Sequence, residues 1–322
     1  SVAETFEVVI TNGSGLVNPP NDSITVSPGA AARFSIINKA AIEANDPYIA
    51  GEGFAVVIEA QDALGNRATS YNGFGIALDD ADGTPNTTIT PASIGFTGGQ
   101  WNGNVFATQA TPFILRVGNG SGFATDQTTT PLIIYPAVLH HFTLSAGAGG
   151  NIGNQTAGTP FLVDISAEDI HNNRLNAGPN AYNGQVNLSL SNGNPVTNPS
   201  ANFTNGLLDD FSVTINNAAS GVRIQAVDLG GVYGVDESGQ SNAFDVAAGA
   251  LDHFLVDGIL SPQVAGFPFA ITIRAVDAND NPRTDYVGTV ALADTGANDI
   301  RTEDSGYSTA VTGPFTAGVW TG

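Results

Sequence analysis

The side chains best placed to do chemistry in this chain are carboxylates and carboxamides at a fixed spacing. Asp62/Asn66, Asp169/Asn173 and Asp277/Asn281 each form an Asp-x-x-x-Asn pair. Two chemistries fit. Asp and Asn side chains bond their own backbone a few residues on and tolerate left-handed conformations, so the pair can build a tight turn. The same oxygens can hold Ca2+, which takes about six to eight oxygen ligands. The run "DANDNP" gathers the most oxygen, so Asp277, Asn279, Asp280 and Asn281 are the candidate Ca2+ ligands; "DALGN" and "DIHNN" lack the second Asp. Other acids cluster in "LDDADG" (Asp79, Asp80, Asp82), "LLDDF" (Asp209, Asp210) and "RTEDSG" (Glu303, Asp304). These read as solvated loops, and the first lacks the Gly and distal Glu of an EF-hand loop.

Nothing in the chain is arranged for catalysis. The histidines are His140, His141, His171 and His253. His141 and His253 precede Phe at a position where Arg33 stands before Phe34, which predicts packing rather than metal binding. Neighbouring strand residues point to opposite faces, so His140 and His141 are not expected to share an ion. No Ser-His-Asp order or nucleophile elbow occurs. With no Cys there is no thiol nucleophile, thiolate metal site or disulfide. The reading is therefore no enzyme, no catalytic residues and no cofactor beyond the Ca2+ alternative. Asn12, Asn21, Asn86, Asn119, Asn154, Asn187 and Asn202 each open an Asn-x-Ser/Thr sequon, marking acceptor sites for glycans in a host that has the pathway. Trp101 and Trp320 sit in matching phrases, as packing residues or as a carbohydrate platform. Lys39 is the only lysine, which excludes a Lys–Asn isopeptide bond as a repeating device.

Composition narrows the partners. The net charge is −21 although only 12% of residues are charged. Such a surface repels phosphate backbones and anionic lipid, so neither nucleic acid nor a membrane surface is an expected partner. No apolar run approaches the roughly 18 residues of a membrane span. The opening "SVAETFEVVI" alternates like a strand rather than reading as a signal peptide.

The elements that carry these residues are strands. Short alternating segments are separated by Gly, Pro, Asn and Asp clusters, the all-β signature. They also repeat. "YIAGEGFAVVIEAQDALGNRATSYNG", "QTAGTPFLVDISAEDIHNNRLNAGPNAYNG" and "QVAGFPFAITIRAVDANDNPRTDYVG" share Ala-Gly-x-(Gly/Pro)-Phe, an alternating strand, the Asp-x-x-x-Asn pair and Tyr-x-Gly. Phe54, Val56 and Ile58 alternate, as do Phe161, Val163 and Ile165, and Phe269, Ile271 and Ile273; each set should line a core. Gly73, Gly184 and Gly288 introduce the next strand. Each repeat opens near Phe34, Phe142 or Phe254, spaced 108 and 112 residues apart. Units of that size with many short strands predict immunoglobulin-like β-sandwiches. The expected division is 34–141 and 142–253 as complete sandwiches, 254–322 as the N-terminal part of a third, and 1–33 as the C-terminal strands of such a domain. Short joins predict a rod rather than a flexible string.

The Ala-Gly-x-x-Phe strands, "AVDANDNP" with its relatives, and "FTGGQWNG" with "FTAGVWTG" resemble the immunoglobulin-like repeats of bacterial and archaeal surface proteins, of invasin-like adhesin, S-layer or filament type. The resemblance spans essentially the whole chain and implies an extracellular or cell-surface prokaryotic protein. "FTAGVWTG" followed by "SVAETFEVVI" would match "FTGGQWNG" followed by "NVFATQATPFILRV". The expectation is a structural repeat unit whose partners are copies of itself, joined head-to-tail either covalently or by strand complementation. The alternatives are an adhesin stalk carrying a distal binding domain, or accessory repeats of a secreted glycan-active enzyme.

Overall fold

The computed structural model describes the chain apart from residues 1, 12, 16, 18, 82–87, 195, 197–198, 231–237, 265 and 294–310. It separates into two compact units, Ser1–Leu139 with Glu168–Ala181, and His140–Ala167 with Tyr182–Gly322.

The first unit is organised by the strand Gly53–Gln61. Its alternation buries Phe54, Val56, Ile58 and Ala60 and leaves the intervening residues outward. It pairs antiparallel with Arg33–Ile36 on one side and Gln100–Ala107 on the other, and Ile89–Thr90 closes the far edge. A second sheet has the order Asp126–Gln127, Leu115–Val117, Ile76–Asp80, Ser93–Ile94. The inner faces meet in one core that includes Phe34, Ile58, Leu78, Val105 and Phe113. Two antiparallel sheets joined through alternate residues make an immunoglobulin-like sandwich. Ile134–Tyr135 then runs parallel to Tyr48–Ile49, with the Tyr48 amide 2.9 Å from the Ile133 carbonyl. Ahead of this sandwich, Thr5–Val8 and Asp22–Thr25 form an antiparallel hairpin.

The second unit repeats the plan. Phe161–Glu168 lies between His141–Ala146 and Leu207–Val213. Ile224–Asp228 lies between Val186–Leu190 and Ser238–Gln240. Gln155–Thr156 runs parallel to Phe244–Ala247. Further on, Thr272–Val276 pairs with His253–Val256 and Val319–Thr321 around Ile273, Ala275, Phe315 and Trp320. Here the alternation expected from Phe269 onward is not realised in full. Regular pairing reaches only Ile271 with Gly322, and Phe269 stays half exposed.

Two local devices recur with the sandwiches. The phrase Phe-Thr-x-Gly is a two-residue hairpin turn. Gly98–Gly99, Asn205–Gly206 and Ala317–Gly318 all have positive φ at both turn positions, as a type I′ turn requires. A Cβ at Gly99 or Gly318 would lie 2.4 or 2.2 Å from the carbonyl oxygen of Ala68 or Arg283, so only glycine fits there. Beside each turn sits an aromatic trio: Phe34/Tyr71/Phe96, Phe142/Tyr182/Phe203 and Phe254/Tyr286/Phe315, with ring centroids 4.9–6.1 Å apart. The tyrosine of Tyr-x-Gly is thus a core residue, and Tyr182 donates its hydroxyl to Asp228 Oδ1 at 2.5 Å.

Candidate functional site

Each long core strand ends in a buried aspartate: Asp62, Asp169 and Asp277. A charge so placed must be met by donors. The loop supplies them. Oδ1 of Asp62 accepts the amides of Leu64 and Asn66, that of Asp169 the amides of His171 and Asn173, and that of Asp277 the amides of Asn279 and Asn281, all at 2.8–2.9 Å. The Asn carboxamide adds a bond to the same carboxylate, 2.9–3.0 Å from Oδ2 in all three loops. Closing the loop needs a left-handed residue at its fourth position. Gly65, Asn172 and Asp280 stand there with φ of 90°, 63° and 64°. Those are residue types that tolerate this region.

The remaining hydrogen-bonding capacity leaves the loop and grips chain from the preceding repeat. Asp62 Oδ2 accepts the Gly29 amide at 2.9 Å, Asp169 Oδ2 the Ala137 amide at 2.8 Å, and Asp277 Oδ2 the Gly249 amide at 2.7 Å. Asn66 Oδ1 accepts the Ala3 amide at 3.0 Å, Asn173 Oδ1 the Ala110 amide and Asn281 Oδ1 the Ala218 amide, both at 2.8 Å. Asn173 Nδ2 also donates to the Thr108 carbonyl and Asn281 Nδ2 to the Asn216 carbonyl. The first two clasps lie within the first unit and the third within the second. Around the middle clasp the chains approach closely: a Cβ on Gly51 would meet His171 Nε2 at 2.4 Å.

Electrostatics follow from the donors. The Asn66 side chain and the Gly29 amide hold the Asp62 carboxyl well below the usual carboxylate range. Burial works to raise Asp277, yet the bonds from Asn281, Gly249 and Asn279 prevail and its carboxyl also lies low.

Of the four candidate Ca2+ ligands, Asp277 and Asn281 are brought together, bonded to each other and to backbone. Asn279 contributes its amide to Asp277, while the exposed Asp280 carboxylate lies 3.0 Å from His253 Nε2. Among the described residues, no group of three or more His, Asp or Glu is gathered as a metal would need. The other acids are not simple solvated loops. Asp79 and Asp80 end a strand, where Asp79 takes a two-pronged bond from the cross-strand Arg116 at 2.8 Å for each prong. Asp209 and Asp210 lie in a strand and stay exposed; partial desolvation and the neighbouring Asp164 and Asp210 charges push Asp209 up. Asp82, Glu303 and Asp304 lie outside the described residues. His140 and His141 do not point apart: His140 precedes the strand, and the two Nδ1 atoms are 3.2 Å from each other.

Of the sequons, Asn12 and Asn86 lie outside the described residues, and Asn21, Asn119, Asn154, Asn187 and Asn202 are exposed. The carboxamides of Asn21 and Asn119 donate to Glu7 and Asp79. Trp101 and Trp320 occupy the same register, opposite Ile58 and Ile273, and Trp320 is buried. Sequence reasoning missed the other half of the clasp: Gly29, Ala137 and Gly249, and Ala3, Ala110 and Ala218. The one available signal was spacing, since Ala3, Ala110 and Ala218 are 107 and 108 residues apart, as are Asn66, Asn173 and Asn281.

No protein-family model and no curated protein matches the chain. Among solved structures it is similar to domains 1–6 of the surface layer protein SbsC, at 14% identity and a TM-score of 0.21 over 91% of this chain and 39% of that one. It is also similar to invasin, a bacterial integrin-binding protein, at 13% identity and a TM-score of 0.30 over 80% and 48%. The fibronectin(III)-like modules of Clostridium thermocellum CbhA match at 12% identity and a TM-score of 0.19, over 70% and 95%. The chain thus spans about two fifths of the first of these chains and about half of the second. The strand pairing described above is the basis of the fold, and it is that of immunoglobulin-like repeats.

Proposed function

We propose that the chain is a structural segment of a prokaryotic extracellular filament or cell-surface array, without enzymatic activity. In this reading its division follows the repeats, 34–141, 142–253 and 254–322, with 1–33 serving as trailing strands of a repeat. The Asp–Asn loops act as joints, not as cation sites. One observation carries this: the same donor and acceptor atoms tie a loop to the chain before it at three places, 107 and 108 residues apart. Such periodicity is that of a tandem array of like modules held in one arrangement at each join.

Two experiments test it. Small-angle scattering of an Asn173→Ala/Asn281→Ala variant should show a broadened distance distribution relative to the parent; an unchanged distribution overturns the joint. Immunogold labelling against the chain should decorate cell-surface filaments or layers periodically. Label confined to the base of a distinct head would favour the stalk reading instead.

A further inference from the structure

Residues 2–26 and the third repeat carry matching uncovered apolar faces, and each face has a buried equivalent within the first unit. Phe6 and Ile10 are 43% and 59% exposed, whereas Phe113 and Val117, 107 positions on, are 0% exposed. Ile24 and Val26 are likewise uncovered, while Leu132 and Ile134, 108 positions on, are buried. In the third repeat Val256 and Phe269 are 55% and 48% exposed; their counterparts Ile36 and Phe54 are buried. In the first unit the counterparts of both faces belong to one core, where Ile36 and Phe54 join Phe113, Val117, Leu132 and Ile134.

The clasp supplies the second observation. Chain 108–137 has two duties: its apolar side chains fill the first core, and its backbone grips Asn173 and Asp169. Residues 3–29 make the equivalent grip on Asn66 and Asp62 while their apolar side chains remain uncovered. They hold the place of trailing strands without the core that such strands fill.

We propose that residues 5–10 and 22–27 of one copy complete the sandwich opened by residues 254–264 and 266–293 of a second copy. The inference rests on the structural-array reading and specifies its contact. The register follows from the first repeat. Val26 and Ser27 run parallel to Gln263 and Val264, as Ile134 and Tyr135 run beside Tyr48 and Ile49. Val9 and Ile10 run antiparallel to Ala293 and Leu292, as Arg116 and Val117 run beside Asp79 and Leu78. Strand addition of this kind takes its affinity from backbone bonds and its specificity from alternate side chains. Because the two faces differ, the contact is heterologous, and repeating it propagates a chain of subunits unless the rotation closes a ring.

The chain has no cysteine, so cross-linking reads the register directly. Equal amounts of Ser27→Cys and Val264→Cys chains are mixed and oxidised. The expected product is the mixed disulfide, in clear excess over either homodimer, and the Ser27→Cys/Val264→Cys chain should give a ladder. Dimers in statistical proportion, or a double variant that closes only on itself, overturn the proposal. The unsubstituted chain offers a measurement free of folding defects. Amide exchange over residues 6–10 and 24–26 should slow as concentration rises, and concentration-independent exchange there also overturns it. In the same data a protected Ala110 amide reports the clasp separately, so failure of complementation is distinguishable from failure of the joint.

Discussion

Replacing Asn173 by alanine isolates what one clasp contributes. Asn173 is buried and makes three bonds that alanine cannot: Nδ2 to the Thr108 carbonyl at 2.7 Å, Nδ2 to Asp169 Oδ2 at 2.9 Å, and Oδ1 from the Ala110 amide at 2.8 Å. A neutral hydrogen bond is worth about 1 kcal/mol net and one to a charged group about 1.5–3 kcal/mol. With water entering the opened joint, the loss is roughly 3 kcal/mol, or about a hundredfold in the opening equilibrium. Native-state amide exchange measures it residue by residue. Ala110 should exchange about a hundredfold faster in Asn173→Ala. Ala137 should change less, because Asp169 remains to receive it. Ala60, on an internal strand of the first sheet and bonded to Gly99 in its hairpin turn, should not change. Asn173→Asp should be worse, since it sets a second carboxylate against Asp169 and an oxygen against the Thr108 carbonyl. An unaltered Ala110 rate, or an Ala60 rate rising in step with it, would refute the reasoning.

Three further outcomes are expected. Asp62 and Asp277 are depressed in the folded chain, so the stability they contribute is present above the ordinary carboxylate value of about 4 and is lost only as pH falls through their lower folded values; carboxyl 13C shifts of either residue titrating at or above pH 4 would contradict this. Ala317 holds φ of 49° in an exposed hairpin turn where the second repeat has Asn205, so Ala317→Asn should stabilise by about 1 kcal/mol in denaturant unfolding. Asp280→Gly trades an exposed polar contact with His253, worth about 0–1 kcal/mol, against relief of a left-handed backbone, so the melting temperature should move by less than about 3 °C, with or without added Ca2+; a Ca2+-induced rise that this substitution abolishes would favour the cation reading.

The parts legible in the sequence are those whose cause is local. The alternation of Phe54, Val56 and Ile58 follows from the pleat and needs no partner to be seen. The turn-building power of Asp62 and Asn66 resides in their own side chains. Illegible parts depend on what lies opposite. Ala3, Ala110 and Ala218 enter the clasp through backbone amides, which every non-proline residue carries. Asp79 reads as a loop acid until Arg116 is found across the sheet from it. Phe269 reads as a core residue by its pattern, and the pattern cannot reveal whether its pairing strand is in place.

A polar joint suits a chain of similar repeats for a physical reason. Apolar faces that resemble one another can pair in shifted or swapped arrangements at small cost, since the hydrophobic effect is non-directional. The clasp is directional. Asp169 Oδ2 needs an amide at 137, while Asn173 needs an amide at 110 and a carbonyl two residues earlier at 108. A shift of one residue presents Asn173 Oδ1 and Nδ2 with groups of the wrong sign or none, leaving a buried carboxamide and carboxylate short of partners, and each unmet group costs about 1–3 kcal/mol. The penalty for a wrong register therefore exceeds the net gain from the right one. Energetics of that form specify one arrangement of neighbours without making the joint especially strong. It follows that removing both polar partners together, as in Asp169→Ala/Asn173→Ala, should cost less than the two single substitutions imply, while letting the joint populate more than one register.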